Sequence, residues 1–211
     1  TAVFEATREM ERMGKIAIEN LRHSMDALFT MNDREIQEVY ETEDQINFLN
    51  HAITDYLVKV NQTTIPTEDK KSIGGLFHVV NDIERIGDHA ENVADAARKR
   101  MEDQVEFSPQ AKRELSEMLD AVVTITTYAL DMFSHNNQEH MQEILDLENK
   151  VDRMERELQE SHIQRLTRNE CTAEAGMMFS DLLSGLERVA DHATNIAFSL
   201  TEEYSTDSVK K

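Results

Sequence analysis

The stretch of sequence that decides the fold is Ile83-Glu84-Arg85-Ile86-Gly87-Asp88-His89-Ala90-Glu91-Asn92-Val93-Ala94. It recurs 103 residues later as Leu186-Glu187-Arg188-Val189-Ala190-Asp191-His192-Ala193-Thr194-Asn195-Ile196-Ala197. Every pair of positions is identical or similar in residue type except Glu91 and Thr194. A long match at one constant offset predicts that the second half of the chain is a structural copy of the first half.

Each copy carries Glu, Asp and Asn at positions i, i+4 and i+8 of a predicted helix. Because this spacing turns only about 40° per step around a helix, the three oxygen-bearing side chains form one short stripe. The stripe lies on the flank of the apolar arc of its helix, so we expect it at the half-exposed margin of a bundle. The residues of the two stripes are Glu84, Asp88 and Asn92, and Glu187, Asp191 and Asn195.

A stripe of this kind is either a solvated helix face or a cation site. Like charges at i and i+4 weaken a helix by about a few tenths of a kcal/mol, so the same Glu-Asp-Asn set occurring twice favours the second interpretation. Carboxylate and amide oxygens are hard ligands that suit Mg²⁺, Mn²⁺, Ca²⁺ or iron. We therefore predict two metal sites, with metal ions as the cofactors.

The histidines that follow each motif Asp are not expected to join the stripe. His89 and His192 lie about 100° around the helix from it, which indicates a role at the surface or between bundles. A ferritin-like di-iron bundle is excluded, because none of the 8 histidines has Glu three residues before it. A weaker echo of the repeat places Glu43, Ile46 and Asn47 opposite Glu148, Val151 and Asp152.

The composition is that of an all-α protein, with only 6 Gly and 2 Pro in 211 residues. Six helices are predicted: Ala2–Thr30, Asn32 to about Thr63, Thr67 (as the cap) to about Asp103, Ser108 to about His135, about Gln138–Thr167, and Thr172 (as the cap) to about Glu203. Short connections predict a tandem pair of antiparallel three-helix bundles. The predicted domains are residues 1–104 and 105–204, followed by a disordered tail, 205–211.

Charge and motifs exclude several classes of function. The formal net charge of -20 opposes contact with nucleic acid. No apolar run is long enough to span a bilayer, and Cys171 alone makes no internal disulfide. The sequence has no glycine-rich phosphate loop, nucleophile elbow or zinc-type spacing, so we predict that the chain is not an enzyme and has no catalytic residues.

The motif residues resemble a known family. Asp82-Ile83-Glu84-Arg85-Ile86-Gly87-Asp88 and its second copy are similar to the repeated signature of the PhoU family of phosphate-transport regulators. More narrowly, the chain resembles the C-terminal cytoplasmic domain of bacterial sodium/phosphate cotransporter-family proteins, and a start at Thr1 without methionine fits a domain of a longer protein. The segments that carry this narrower resemblance are Asp55-Tyr56-Leu57-Val58-Lys59, His78-Val79-Val80-Asn81, His162-Ile163-x-Arg165-Leu166, Cys171, and Phe179-x-Asp181-Leu182-Leu183. Glu68-Asp69-Lys70-Lys71 departs from the Asp-Leu-Arg that free-standing members usually carry, which favours the transporter-linked branch.

This resemblance implies that the six stripe residues hold metal ions (Fe, Mn, Mg, Ni or Zn), including multinuclear iron, in a regulator that often dimerises. We therefore predict a metal-binding regulatory domain of a sodium/phosphate cotransporter, on the cytoplasmic side of the inner membrane, that modulates phosphate uptake. Its expected partners are the transporter membrane domain or other phosphate-transport machinery, and a second copy of itself. The alternatives are a free-standing PhoU-type regulator of a phosphate ABC transporter and its sensor kinase, or a metal-free helical interaction module.

Overall fold

The computed structural model describes residues 2–199, with the backbone alone at Glu68 and Asp69. The chain forms six α-helices in this range: α1 Ala2–Thr30, α2 Asp33–Asn61, α3 Thr67–Asp103, α4 Pro109–His135, α5 Met141–Thr167 and α6 Ala173–Phe198. No strand occurs among these residues. The prediction of an all-α fold is confirmed. The predicted end of the last helix near Glu203 and the predicted disordered tail lie outside the described residues.

Side-chain caps fix several of the helix ends. The Oδ1 of Asn32 accepts hydrogen bonds from the backbone N–H groups of the first turn of α2, while Ser108 and Thr172 cap α4 and α6 through their hydroxyl oxygens. These oxygens satisfy N–H groups that have no partner within the helix. At the other end of α4, Asn136 adopts the left-handed conformation with a φ of 51° and stops the helix.

Two predicted helix starts are wrong. Thr67 is the first residue of α3 and not its cap, because Lys70 N donates to the carbonyl of Pro66, which lacks a capping side chain. Helix α5 begins at Met141 instead of Gln138. The side-chain oxygen of Asn137 accepts a hydrogen bond from Glu139 N at 3.2 Å. This local turn keeps the residues before Met141 out of the helix.

The helices form two bundles that share one apolar core. Helices α1, α2 and α3 pack on one another, as do α4, α5 and α6, and the two sets meet where α3 packs on α6 and α1 on α4. At the second of these crossings a Cβ on Gly14 would lie 2.6 Å from a methyl carbon of Leu130, so any larger residue there would require Leu130 to move. The boundary between the predicted domains, 104/105, remains a prediction, although it falls in the connection between α3 and α4.

A buried arginine fixes the connection between the two bundles. Arg100 is 1% exposed, and its guanidinium donates to the carbonyl oxygens of Leu28 at 2.7 Å and Val105 at 2.9 Å. The same group lies over the Phe107 ring and 3.6 Å from the carboxylate of Glu106. One side chain thus joins the end of α1 to the α3–α4 connection. Within residues 2–199, no helix is both long and apolar enough to cross a membrane.

Candidate metal centre

The first group of carboxylates joins two helices of the first bundle. Glu43 of α2 lies beside Asp88 and Glu91 of α3, and one oxygen from each lies within 4.8 Å of the others. Glu84, one turn earlier on α3, is half-buried next to them, and burial together with the neighbouring charge of Asp88 raises its pKa. We call Glu43, Asp88 and Glu91 the first cluster.

Glu43 is the most constrained member of the first cluster. The side chain is 2% exposed, and neither carboxylate oxygen has a hydrogen-bond partner. The absence of a side chain at Gly87 makes room for it, because a Cβ there would lie 3.1 Å from Glu43 Oε2. Burial raises the pKa of Glu43 to about 9, helped by a hydrogen bond that only its protonated form can donate to Asp88 and by the charges of Asp88, Glu91 and Glu84. A buried carboxylate without a donor is costly unless it is protonated or a cation neutralises it.

The second cluster consists of Asp152 on α5 with Glu187 and Asp191 on α6. Its facing oxygens also lie within 4.8 Å of one another, and its members are partly exposed. Burial and the nearby Asp191 raise the pKa of Glu187 to about 7. Glu148, one turn before Asp152, has its pKa raised by burial and by the charges of Asp152 and Asp191. Negative charge is therefore concentrated here as it is in the first cluster.

The clusters contain three of the predicted ligands and bring in three that were not predicted. Asp88, Glu187 and Asp191 are cluster members, and Glu84 lies beside the first cluster. Glu84, Asp88, Glu187, Asp191 and Asn195 are partly buried, as expected for the margin of a bundle. Asn92 is exposed and lines a groove between α3 and α6. Glu43, Glu91 and Asp152 complete the clusters.

Helix geometry explains why Glu91 and not Asn92 faces the first cluster. Counted from Glu84, Glu91 falls about 20° short of two full turns, whereas Asn92 has passed them by about 80°. The i, i+4, i+8 spacing therefore drifts off the ligand face, and i+7 stays on it. Glu43 and Asp152 belong to the weaker echo between α2 and α5, which is the signal in the sequence that points to them.

The two clusters differ at the single unlike position of the repeat. Thr194, the counterpart of Glu91, is 2% exposed, and its hydroxyl donates to the carbonyl oxygen of Ala190 at 3.0 Å. It therefore offers no carboxylate to the second cluster. In compensation Asp152 supplies an oxygen from α5, where the first repeat has Asn47. The second cluster is consequently the more open of the two.

The donor set fits hard divalent cations and iron. Three carboxylate oxygens at these separations can converge on one ion, and oxygen ligands suit Mg²⁺, Mn²⁺ and iron. The two unpartnered oxygens of Glu43 are the strongest evidence that the cluster suits a cation, because a bound cation would neutralise their negative charge. Glu84 and Glu148 stand where an additional ion or ligand bond could form.

His89 and His192 lie between the bundles and not in either cluster. Their ring centroids are 6.2 Å apart across the packing of α3 on α6. His192 Nδ1 lies 3.0 Å from a carboxylate oxygen of Asp82, and burial lowers the pKa of His89 to about 4. Of the two places expected for these histidines, the surface or the space between the bundles, the structure shows the second.

Comparisons with known proteins agree with this architecture. Residues 10–97 and 115–200 match the family described as the PhoU domain. The chain is 24% identical over 189 residues to phosphate-specific transport system accessory protein PhoU homolog 1 of Thermotoga maritima, covering 89% of this chain and 81% of that protein. It is also 21% identical to the putative inorganic phosphate export protein YjbB of Salmonella typhimurium, over 98% of this chain but 38% of that protein. The crystal structure of PhoU from Pseudomonas aeruginosa is similar with a TM-score of 0.86 and 26% identity, covering 94% of this chain and 95% of that one. With both halves of the sequence matched, the chain belongs to the PhoU domain family.

Proposed function

We propose that this protein is a PhoU-type regulator of phosphate transport that binds metal ions at its two carboxylate clusters. Proteins of this family are regulatory or accessory, so the chain is not an enzyme, as its sequence predicted. The role in phosphate transport is supported by the names of the relatives, an accessory protein of a phosphate-specific transport system and a phosphate export protein.

One observation carries the metal part of the proposal. Glu43 is fully buried, its two oxygens have no donor, and they face Asp88 and Glu91. In the metal-free protein such a group costs stability, since it must be protonated or carry an uncompensated charge. A bound cation reverses that cost, and the second cluster repeats the arrangement in a more open form.

The form of the protein in the cell has two candidates. The first is a free-standing accessory protein that acts on a phosphate transport system, because the relatives with 81% and 89% of their own length matched carry that name. The second is the cytoplasmic regulatory domain of a sodium/phosphate transporter. The match that spans 98% of this chain but 38% of a phosphate export protein favours it. In both candidates the partner is phosphate-transport machinery, and a homodimer is the proposed assembly.

Metal binding is tested on protein purified without chelator or nickel resin. We expect Fe, Mn, Mg, Ni or Zn to be found by elemental analysis, and Mn²⁺ or Fe²⁺ to raise the melting temperature, since a ligand bound only by the native state stabilises it. Asp88→Ala combined with Asp191→Ala should abolish the rise. Asp26→Ala with Asp120→Ala is the matched control, because these exposed residues lie one in each repeat and outside both clusters. A rise of the same size in the cluster double variant would place the metal elsewhere.

The regulatory role is tested in cells that lack this chain or carry the cluster double variant. We expect phosphate uptake to lose its response to phosphate supply, while the transporter remains in the membrane. Uptake with the normal rate and normal response in both strains would exclude regulation of phosphate transport. A double variant that behaves like the normal protein would separate the regulatory role from metal binding.

A further inference from the structure

The two bundles meet at a crossing of α3 and α6 where equivalent positions of the repeat face each other but carry unlike side chains. Helices α3 and α6 run antiparallel there, with His192 against Asp82 and His89 against Gly185. In the 103-residue repeat, Asp82 corresponds to Gly185 and His89 to His192. Nδ1 of His192 donates to the Asp82 carboxylate at 3.0 Å, because a carboxylate can only accept. The equivalent position beside His89 has no side chain.

His89 is consequently a buried histidine that lacks the partner its counterpart has. It is 9% exposed and makes no hydrogen bond within residues 2–199. A Cβ at Gly185 would lie 3.4 Å from its Nδ1, which is ordinary contact, so the missing side chain leaves open space next to that nitrogen. An imidazole ring carries an N–H in either of its neutral tautomers, so His89 can donate a hydrogen bond to a group placed beside it.

That space is continuous with a groove of about 460 Å³ between α3 and α6. The volume is within the range of small-molecule pockets, roughly 300–1,000 Å³. Its apolar wall comprises Val93, Met177, Met178 and Leu182. Met177 is 69% exposed, which leaves this wall open to a ligand.

The polar groups of the groove are segregated along its length. Arg188 and Asn92 lie toward the His89 end, and Arg188 makes no ion pair within the described part of the chain. Asp95 of α3 and Asp181 of α6 lie in the middle of the groove, and Glu174 of α6 and Lys99 of α3 lie toward the other end. Arg188 is thus the cation at the His89 end, and the carboxylates from the middle of the groove onward disfavour a second anionic group on the same ligand.

We propose that this groove binds a small molecule through an oxyanion that occupies the position beside Gly185 and accepts a hydrogen bond from His89. The oxyanion reproduces the carboxylate that Asp82 offers to His192, and Arg188 supplies the neighbouring positive charge. The rest of the ligand, where it has an apolar body, lies along the methionine wall. This site is separate from the carboxylate clusters and does not depend on bound metal.

Gly185→Asp tests the site by installing the missing carboxylate from within the chain. Its side chain should pair with His89 as Asp82 pairs with His192, and so exclude the ligand. Gly185→Ala is the matched control, because it adds the same Cβ without an oxyanion. The probes are octanoate, octan-1-ol and inorganic phosphate, titrated by calorimetry into chelated protein, with the imidazole ¹H–¹⁵N signals of His89 followed by NMR.

We expect octanoate, inorganic phosphate or both to bind the wild type and shift the His89 signals, with octan-1-ol at least about tenfold weaker than octanoate. Binding by phosphate alone identifies the free ion as the source of the oxyanion, and binding by octanoate alone identifies an organic acid. Gly185→Asp should weaken binding at least about tenfold, and by more than Gly185→Ala, which adds the same Cβ without the carboxylate. If Gly185→Asp does not fold, His89→Phe, which keeps a ring but removes the N–H, should show the same loss.

The proposal is overturned if neither oxyanion moves the His89 signals, or if octan-1-ol binds as tightly as octanoate. Unchanged binding by Gly185→Asp, or by His89→Phe where that variant replaces it, would overturn it equally.

Discussion

Replacing Glu43 by Gln should stabilise the metal-free protein and at the same time weaken its response to metal. The folded protein holds the pKa of Glu43 at about 9, against an ordinary value of 4.5. At a pH between these two pKa values, Glu43 is protonated in the folded state and ionised in the unfolded state. The free energy of unfolding therefore falls as the pH rises through this range. At pH 7, about 2.5 units above the ordinary value, the cost is about 3 kcal/mol at 1.36 kcal/mol per unit.

Glutamine has nearly the same shape but cannot ionise, so Glu43→Gln removes this cost. The buried amide can donate to Asp88, but its oxygen still has no donor, which forfeits roughly 1 kcal/mol. The net gain is therefore about 2 kcal/mol at pH 7. For a chain of this size that gain corresponds to a melting temperature higher by roughly 4–8 °C. The advantage over wild type should shrink toward pH 5 and grow toward pH 8.

The assay is urea or thermal unfolding of chelated protein across pH 5–8, repeated with Mn²⁺. Glu148→Gln is the matched control, because Glu148 is the counterpart of Glu43 in the second repeat and is only half-buried. We expect it to give a smaller gain. In Mn²⁺ we expect the wild type to be more stable than Glu43→Gln, because the neutral amide is a poorer metal ligand than the carboxylate. A Glu43→Gln protein that is no more stable than wild type at pH 8, or whose advantage does not grow with pH, would show that this carboxyl is not buried as described.

Three further predictions concern the site and the core. Glu91→Ala should reduce the metal-induced rise in melting temperature while Asn92→Ala preserves it, and equal effects would contradict the placement of Glu91 in the first cluster. Gly87→Ala should weaken Mn²⁺ binding in calorimetry, because its Cβ would lie 3.1 Å from the buried Glu43 carboxylate and displace it. Arg165→Leu should cost about 3 kcal/mol in urea unfolding, since it strands the buried Glu114 that its guanidinium contacts at 2.6 Å, and Arg165→Leu with Glu114→Leu should recover most of that loss.

The sequence was sufficient for the helices because their signals are local. Ser108 and Thr172 cap the helices they were expected to cap, and the repeat placed three helices in each half. Thr67 was misassigned because a hydroxyl next to a proline looks like a cap, whereas the carbonyl of Pro66 already accepts the first helical hydrogen bond. A choice between two adjacent residues at a helix end depends on backbone angles that residue types do not determine.

The candidate site was only half predictable because it is assembled across helices. The motif revealed Asp88 and Asp191, which lie on one helix in each repeat. Glu43 and Asp152 belong to other helices, and their approach depends on how those helices are rotated in the bundle. Glu91 was passed over because it breaks the repeat, although its spacing from Glu84 keeps it on the ligand face.

Arg100 has a consequence for how the two halves act together. Its guanidinium holds the end of α1 against the connection between the repeats, so that connection is a fixed joint and not a flexible tether. The distance between the two clusters is therefore set by the fold. Any partner that contacts both clusters at once must therefore present its own groups at that same spacing, so the chain selects partners by distance as well as by charge.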